Sequence, residues 1–266
     1  MSNIAARLGK PPDVINTVTG EIMEPDREWT AAIAGIAESP VWTAVLANLG
    51  GQIPQGLSLF RRYTLGAAQR VAEWTPDSRT QDDAVKEFTG IIVHHQAYRS
   101  YWHTQYVRGQ SDPPSCGSLD LRVGYGNPGG ECVACQYARR GSAKERDQRD
   151  TTASACAVRK LVFVLPESRA IPVLLDIPPT AADSMDTHSI RMAERFGGLM
   201  YEQSIWRVGL VEHKQSARMT FALAGLLDSA DPEYGPGLAW IKGICQQAVQ
   251  QWHSAGQGWE TPEAEG

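Results

Sequence analysis

The sequence predicts an α+β fold with a mainly β core, on three observations. Five short runs rich in β-branched and aromatic residues fill the second half of the chain. They come in the order strand, long insertion, strand, strand, helix, strand, strand. The insertion holds four cysteines among polar, Gly- and Pro-rich residues that build no hydrophobic core of their own. A helix between the third and fourth of five strands is the order of the OB-fold, a small Greek-key barrel. The prediction is therefore an OB-fold-like five-stranded barrel with a zinc-binding module inserted between strands 1 and 2, plus N- and C-terminal helices. In that fold the loops joining strands one to two and four to five flank the binding face.

Residues 1–25 are polar and broken by Pro11, Pro12 and Pro25, and are expected to be flexible. Residues 26–80 read as a helical N-terminal region. Asp26 can cap a helix in which Trp29, Ile33, Ile36 and Ala37 recur at helical spacing. Pro40 interrupts it, Val41 to Leu49 form a second helix, and Thr64 to Glu73 read as a further turn or two. The OB-like domain spans 81–230, with the zinc insertion at about 110–157. Its strands are Phe88–His94, Val158–Leu165, Ala170–Ile177, Gln203–Val211 and Ala217–Gly225. Pro178 and Pro179 end the third strand. Thr180 and Asp183 open a helix that runs to about Phe196 and stops at Gly197-Gly198. A C-terminal helix fills 236–254, its clearest part Leu238 to Trp252, and 255–266 is an acidic tail.

The insertion carries Cys116, Cys132, Cys135 and Cys156. Zinc takes four tetrahedral thiolates, two of them commonly from one Cys-x-x-Cys turn, and four cysteines imply a closed structural site with one Zn²⁺ per chain. Metal binding would supply the folding energy that these polar loops lack. Two other readings remain open. A redox Cys-x-x-Cys would follow a strand and open a helix, which these flanks do not resemble. Two disulfides would need an oxidising compartment, and no signal peptide is visible. Cys245 lies in an apolar helical stretch and reads as a small core residue.

The 266 residues are 42% hydrophobic, enough to bury a core, and no apolar run is long enough to span a bilayer. The expectation is a cytoplasmic protein with no membrane partner. The net charge of −5 excludes a bulk-basic coat for nucleic acid. Locally the balance reverses. Arg139, Arg140, Lys144, Arg146, Arg149, Arg159 and Lys160 face only Glu145, Asp147 and Asp150 in the same stretch. That stretch is either a solvated loop or a phosphate footprint. After the first strand, Tyr98, Tyr101, Trp102 and Tyr106 alternate with Arg99 and Arg108. Aromatic faces stack on unpaired bases while arginines track phosphates. The two adjacent rings face opposite ways on an extended chain, with Tyr101 read as the stacking residue and Trp102 as core. His94, His95 and His103 invite a catalytic reading, yet no His-Glu-x-x-His, Gly-x-Ser-x-Gly or Walker A motif accompanies them, so no catalysis is expected.

The run GIIVHHQAYRSYW, then PPSCGSLDLRVGYGNPGGECVACQYARRGSA, a fourth cysteine, and LVFVLPESRAIPVLLDIPPT resembles a group of proteins carried by bacteriophages and integrative elements. These are zinc-containing, OB-fold-like single-stranded DNA-binding proteins of phage replication. The resemblance covers about residues 88–180. It falls on Arg99, Tyr101, Trp102, Cys116, Ser118, Asp120, Cys132, Cys135, Gly141, Ser142, Cys156 and Thr180. The chain departs from the pattern in having Gln136 where a proline is usual, and a charged AKERDQRDTTASA stretch before the last cysteine. The resemblance implies DNA replication or recombination as the setting and single-stranded DNA as partner, and of the expected contacts it falls on Arg99, Tyr101 and Trp102; the aromatic run and the basic loop add Tyr106, Arg108, Arg139, Arg140, Lys144 and Arg146. The acidic tail, with Glu260, Glu263 and Glu265, is either a partner-recruiting segment for replication or recombination proteins or a solubilising tail. A zinc-stabilised protein–protein adaptor is the alternative from another class, and a metal-dependent nuclease is the third.

Overall fold

The structure is a computed structural model. It describes residues 14–15, 22–51, 56–65, 74–76, 85–103, 114–147, 152–167, 169–195, 200–213 and 216–256. In chain order, β1 (Val14–Ile15) and β2 (Ile22–Met23) pair with each other, and α1 (Arg27–Ala34) and α2 (Pro40–Asn48) follow. Next come β3 (Arg61–Leu65), β4 (Trp74–Pro76) and the long β5 (Glu87–Tyr101). The cysteine segment holds β6 (Cys116–Ser118), β7 (Val123–Gly126), β8 (Gly130–Glu131) and α3 (Ser142–Asp147). Then come β9 (Ala157–Pro166), β10 (Val173–Ile177), α4 (Pro179–Arg195), β11 (Ser204–His213), β12 (Ser216–Leu226) and α5 (Tyr234–Gly256). No helix among the described residues is long and apolar enough to cross a membrane.

The chain is α+β, built on a mainly antiparallel ten-stranded sheet. The five predicted strands are all present and lie in the order β12-β11-β5-β9-β10. The sheet is open, however, where a closed barrel was expected. Closure would join β10 to β12, and the far edge of β10 is instead taken by β3, in parallel, at Val173↔Arg61 through Leu175↔Tyr63. Among the described residues β12 pairs only with β11. The strand β3 covers the start of the segment read as helix at Thr64–Glu73. Its pairing with β10 and β4 outweighs local propensity, as tertiary context often does. Residues 66–73 lie outside the described set.

The sequence reading ended the first strand at His94, but β5 continues to Tyr101 because β9 pairs with it from Gly90 to Ser100. A bulge at Val93 re-phases the strand between Ile92 and His94. The other edge of β5 is shared. Its first residues pair with β11 (Gly209↔Glu87 to Ile205↔Ile91) and its last three with β6. The cysteine segment thus continues the sheet from the far end of β5.

Alternation along the strands sorts side chains onto two faces. Ile91, Val93, Tyr98, Leu161, Phe163, Leu165 and Leu174 meet Trp29, Ile33, Trp42, Ile241 and Cys245 from α1, α2 and α5. Ile92, Val162, Val164, Val173, Leu175, Ile177, Trp206 and Val208 meet Ala182, Met185 and Met192 of α4. Each such fully buried aliphatic side chain contributes about 1.5–3 kcal/mol. Asp26 caps α1 by accepting from the Trp29 backbone N–H at 3.0 Å. Pro40 starts α2 at the position where a missing N–H costs nothing. The Trp42 indole N–H donates to the Ala170 carbonyl at 2.8 Å, tying α2 to the turn before β10. The N-terminal region, the sheet and α5 therefore share one core.

Candidate metal centre and nucleic-acid interface

The end of β5 organises the cysteines. Tyr101 pairs with Cys116 on one side. On the other side the register runs Arg99↔Val158 and Ser100↔Ala157, so Cys156 comes next, beside Tyr101. The sheet thereby sets the two outer cysteines on either flank of one tyrosine, far apart as they are in sequence. The β6–β7 pairing at Cys116↔Gly126 requires glycine at 126, which has φ 101° and where a Cβ would lie 2.2 Å from the Ser115 carbonyl oxygen. The β7–β8 pairing then returns the chain to Cys132.

Cys132 and Cys135 sit in a tight turn. The Cys132 N–H donates to the Arg122 carbonyl at 2.7 Å, and the Cys135 N–H to the Cys132 carbonyl at 3.3 Å. A Cβ on Gly124 would stand 2.8 Å from Cys116 Sγ and 3.8 Å from Cys132 Sγ, so both sulfurs pack over that glycine. The Cys156 N–H donates to the Tyr137 carbonyl at 2.7 Å. The Tyr137 ring stacks on Tyr101 at 4.2 Å and 19°. Tyr101, Cys116, Ala143, Ala155 and Cys156 form a small core of their own.

The four cysteines are free thiols, and the Cys116 and Cys132 sulfurs both lie against Gly124. Burial raises the Cys116 thiol pKa, the Gly129 N–H opposes that rise, and Cys132 and Cys135 add to it. Burial pushes Cys156 up to about 11, against the Arg99 guanidinium beside it. Among the described residues, no group of three or more His, Cys, Asp or Glu side chains is placed to hold a metal ion. The donor set is that of a structural zinc site, and its backbone scaffold is well hydrogen-bonded. Asp120 accepts from the Ser118 hydroxyl and from the Arg122 and Val123 N–H groups at 2.8–2.9 Å. Those bonds hold its carboxyl down at about 2. Ser142 donates to the Tyr137 carbonyl and accepts from the Ala155 N–H. Gly141 has φ 88°.

The predicted nucleic-acid contacts divide. Arg139, Arg140 and Lys144 are exposed on the cysteine module. Arg146 belongs to α3, with its side chain outside the described set, as are Tyr106 and Arg108. Arg99 turns inward, and its guanidinium lies against Cys156. The expected partition of the adjacent rings is exchanged. Tyr101 is 3% exposed, packed between the two outer cysteines and under Tyr137. Trp102 is the half-exposed one, with the Arg159 guanidinium 6.0 Å from its ring centroid. The histidines lie against separate rings: His94 on Phe163, His95 on Tyr201 and His103 on Tyr101.

Sequence reasoning missed the surroundings of Trp102. Arg159 Nε and the Tyr98 hydroxyl both donate to Asp176 Oδ1 at 2.8 Å. Burial works against the charge on Arg159, and Asp176 holds it protonated. Tyr98 meets Trp252 of α5 edge-on at 5.7 Å. The signal for Trp252 was its place four residues after Ala248 on the helix stripe that faces the sheet. No family model, curated protein or solved structure matches the chain.

Proposed function

We propose that the protein is a cytoplasmic, non-catalytic single-stranded DNA-binding protein of phage or mobile-element replication or recombination, with one structural zinc held by Cys116, Cys132, Cys135 and Cys156. The observation that carries the reading is the cysteine module at the end of β5. It exposes Arg139, Arg140 and Lys144, and half-buried Trp102 with Arg159 lies where the strand enters it. Cations on a compact scaffold track phosphates, and a nearby aromatic face takes a base, which is the chemistry of single-strand binding. Helices pack on both faces of the central sheet, which favours the module end as the interface. Zinc would fix the turns that carry the arginines. The strand order β12-β11-β5-β9-β10, with α4 between the third and fourth of the five, supports an OB-like core opened at the β10–β12 seam. The acidic tail would recruit replication or recombination proteins.

One observation favours the second reading, a zinc-stabilised protein–protein adaptor. Val133, inside the Cys-x-x-Cys turn, is 90% exposed, and Val123 is 38% exposed. Such side chains can anchor a protein partner.

Replacing Arg139, Arg140 and Lys144 together by Gln separates the two. Each lost phosphate contact flattens the salt dependence of single-strand affinity by about 0.7 in log–log slope. The expected result is weaker oligo-dT binding with a slope shallower by about 2. An unchanged slope would remove the module from the DNA interface.

A further inference from the structure

The helix α5 is a core element by its buried stripe of Ile241, Cys245, Ala248 and Val249. Its last turns do something more. Trp252 lies half-buried beyond that stripe, edge-on to Tyr98. Tyr98 shares Asp176 with Arg159, and Arg159 stands over Trp102. The next residue, His253, meets Tyr125 of β7 edge-on at 4.6 Å and 88°. Two ring contacts, Tyr98–Trp252 and Tyr125–His253, therefore join α5 to β5 and to β7, where the sheet, the module and the C-terminal helix meet.

We propose that Trp102 and Trp252, the half-buried rings at this junction, form a base-stacking subsite for unpaired nucleobases, with buried Tyr98 as the support that links them. The inference rests on the single-strand reading and adds an element which that reading did not include. The chemistry suits bases more than phosphates. The Arg159 guanidinium is balanced by Asp176, so its charge is spent locally and its planar face lies beside the Trp102 ring. Phosphates fall to Arg139 and Arg140, exposed on the module. The rings are held in advance: Tyr98, fixed by its hydroxyl bond, backs Trp252, and Ala248 and Val249 one turn earlier on the helix are buried. Preset aromatic side chains cost little entropy when a ligand arrives.

The test uses the full chain and an oligo-dT carrying 5-iodouracil. Irradiating the wild-type complex and mapping the adducts by mass spectrometry should mark the peptides containing Trp102 and Trp252. In parallel, Trp102→Ala and Trp252→Ala should each weaken oligo-dT binding about tenfold or more, while Trp252→Phe keeps most of it. The cross-link is read on unaltered protein, so it stands even where an alanine variant folds poorly. Tight oligo-dT binding with adducts confined elsewhere, and folded Trp252→Ala binding as wild type, would overturn the subsite and leave the single-strand reading in place. Failure of wild-type protein to bind any single strand would overturn both.

Discussion

Tyr101 and Trp102 are neighbours in sequence and opposites in environment, because a strand sends successive side chains to opposite faces. The alternation was legible in the sequence; which ring went inward was not. That depended on Cys116 and Cys156 arriving on both flanks of Tyr101 through pairings with strands distant in the chain. Arg99 has the same history. Read alone it is a phosphate contact, and β5 turns it onto Cys156. His94 gives a residue-scale prediction. Burial, with His95 and Lys242 nearby, lowers its pKa to about 4. Above pH 6.5 the imidazole is neutral in both folded and unfolded chains. Between 6.5 and 4 the unfolded chain binds the proton and the folded one resists it, so stability falls as pH falls through that window. Allowing for residual solvent access, the loss is about 1–2 kcal/mol. Urea midpoints at pH 7 and pH 4.5 should drop further for the wild type than for His94→Gln. Equal drops would show that His94 titrates normally.

Among the elements, β5 is the spine. Of its fifteen residues, Gly90 to Ser100 pair with β9 along one edge, while β11 and β6 divide the other. The apolar runs of β9 through β12 announce themselves in sequence, and so does the helix between them. The strands β6, β7 and β8 do not, because two to four residues rich in glycine carry no period and exist only through their partners. The cysteines were legible as a set, since four of one residue type in one polar, glycine-rich insertion stand out from the rest of the chain. The glycine beneath them was legible only as a turn former. Gly124 has Cys116 Sγ within 2.8 Å of its missing Cβ, so Gly124→Ala should displace that sulfur. We expect about one zinc per wild-type chain by elemental analysis, and a metal affinity lowered about 10–100-fold in Gly124→Ala, the usual cost of disturbing the residues around a metal's ligands. Undiminished zinc affinity in that variant would place the metal, if any, on other residues.

At the scale of the whole molecule, the helices at the two ends of the chain close one face of the sheet. A Cβ on Gly237 of α5 would lie 2.0 Å from the Ile33 carbonyl oxygen, so α1 and α5 touch backbone to backbone. The sequence divided the chain into an N-terminal region, an OB-like domain and a C-terminal helix, and periodicity does mark those stretches. It did not reveal that they share one core, because nothing local in Trp29, Ile33 or Ile241 names the partner each will meet. Nor did it reveal that β3 would take the edge of β10 and keep the sheet open. With α-helices packed on both faces, the proposed interface falls to the module end. The most direct measurement is a fluorescence-anisotropy titration of zinc-loaded wild-type protein against a labelled oligo-dT and a duplex of equal length, at low and at physiological salt. Saturable binding to the single strand, weaker binding to the duplex, and affinity that falls with added salt are expected. No binding to the single strand at low salt would contradict the proposed function.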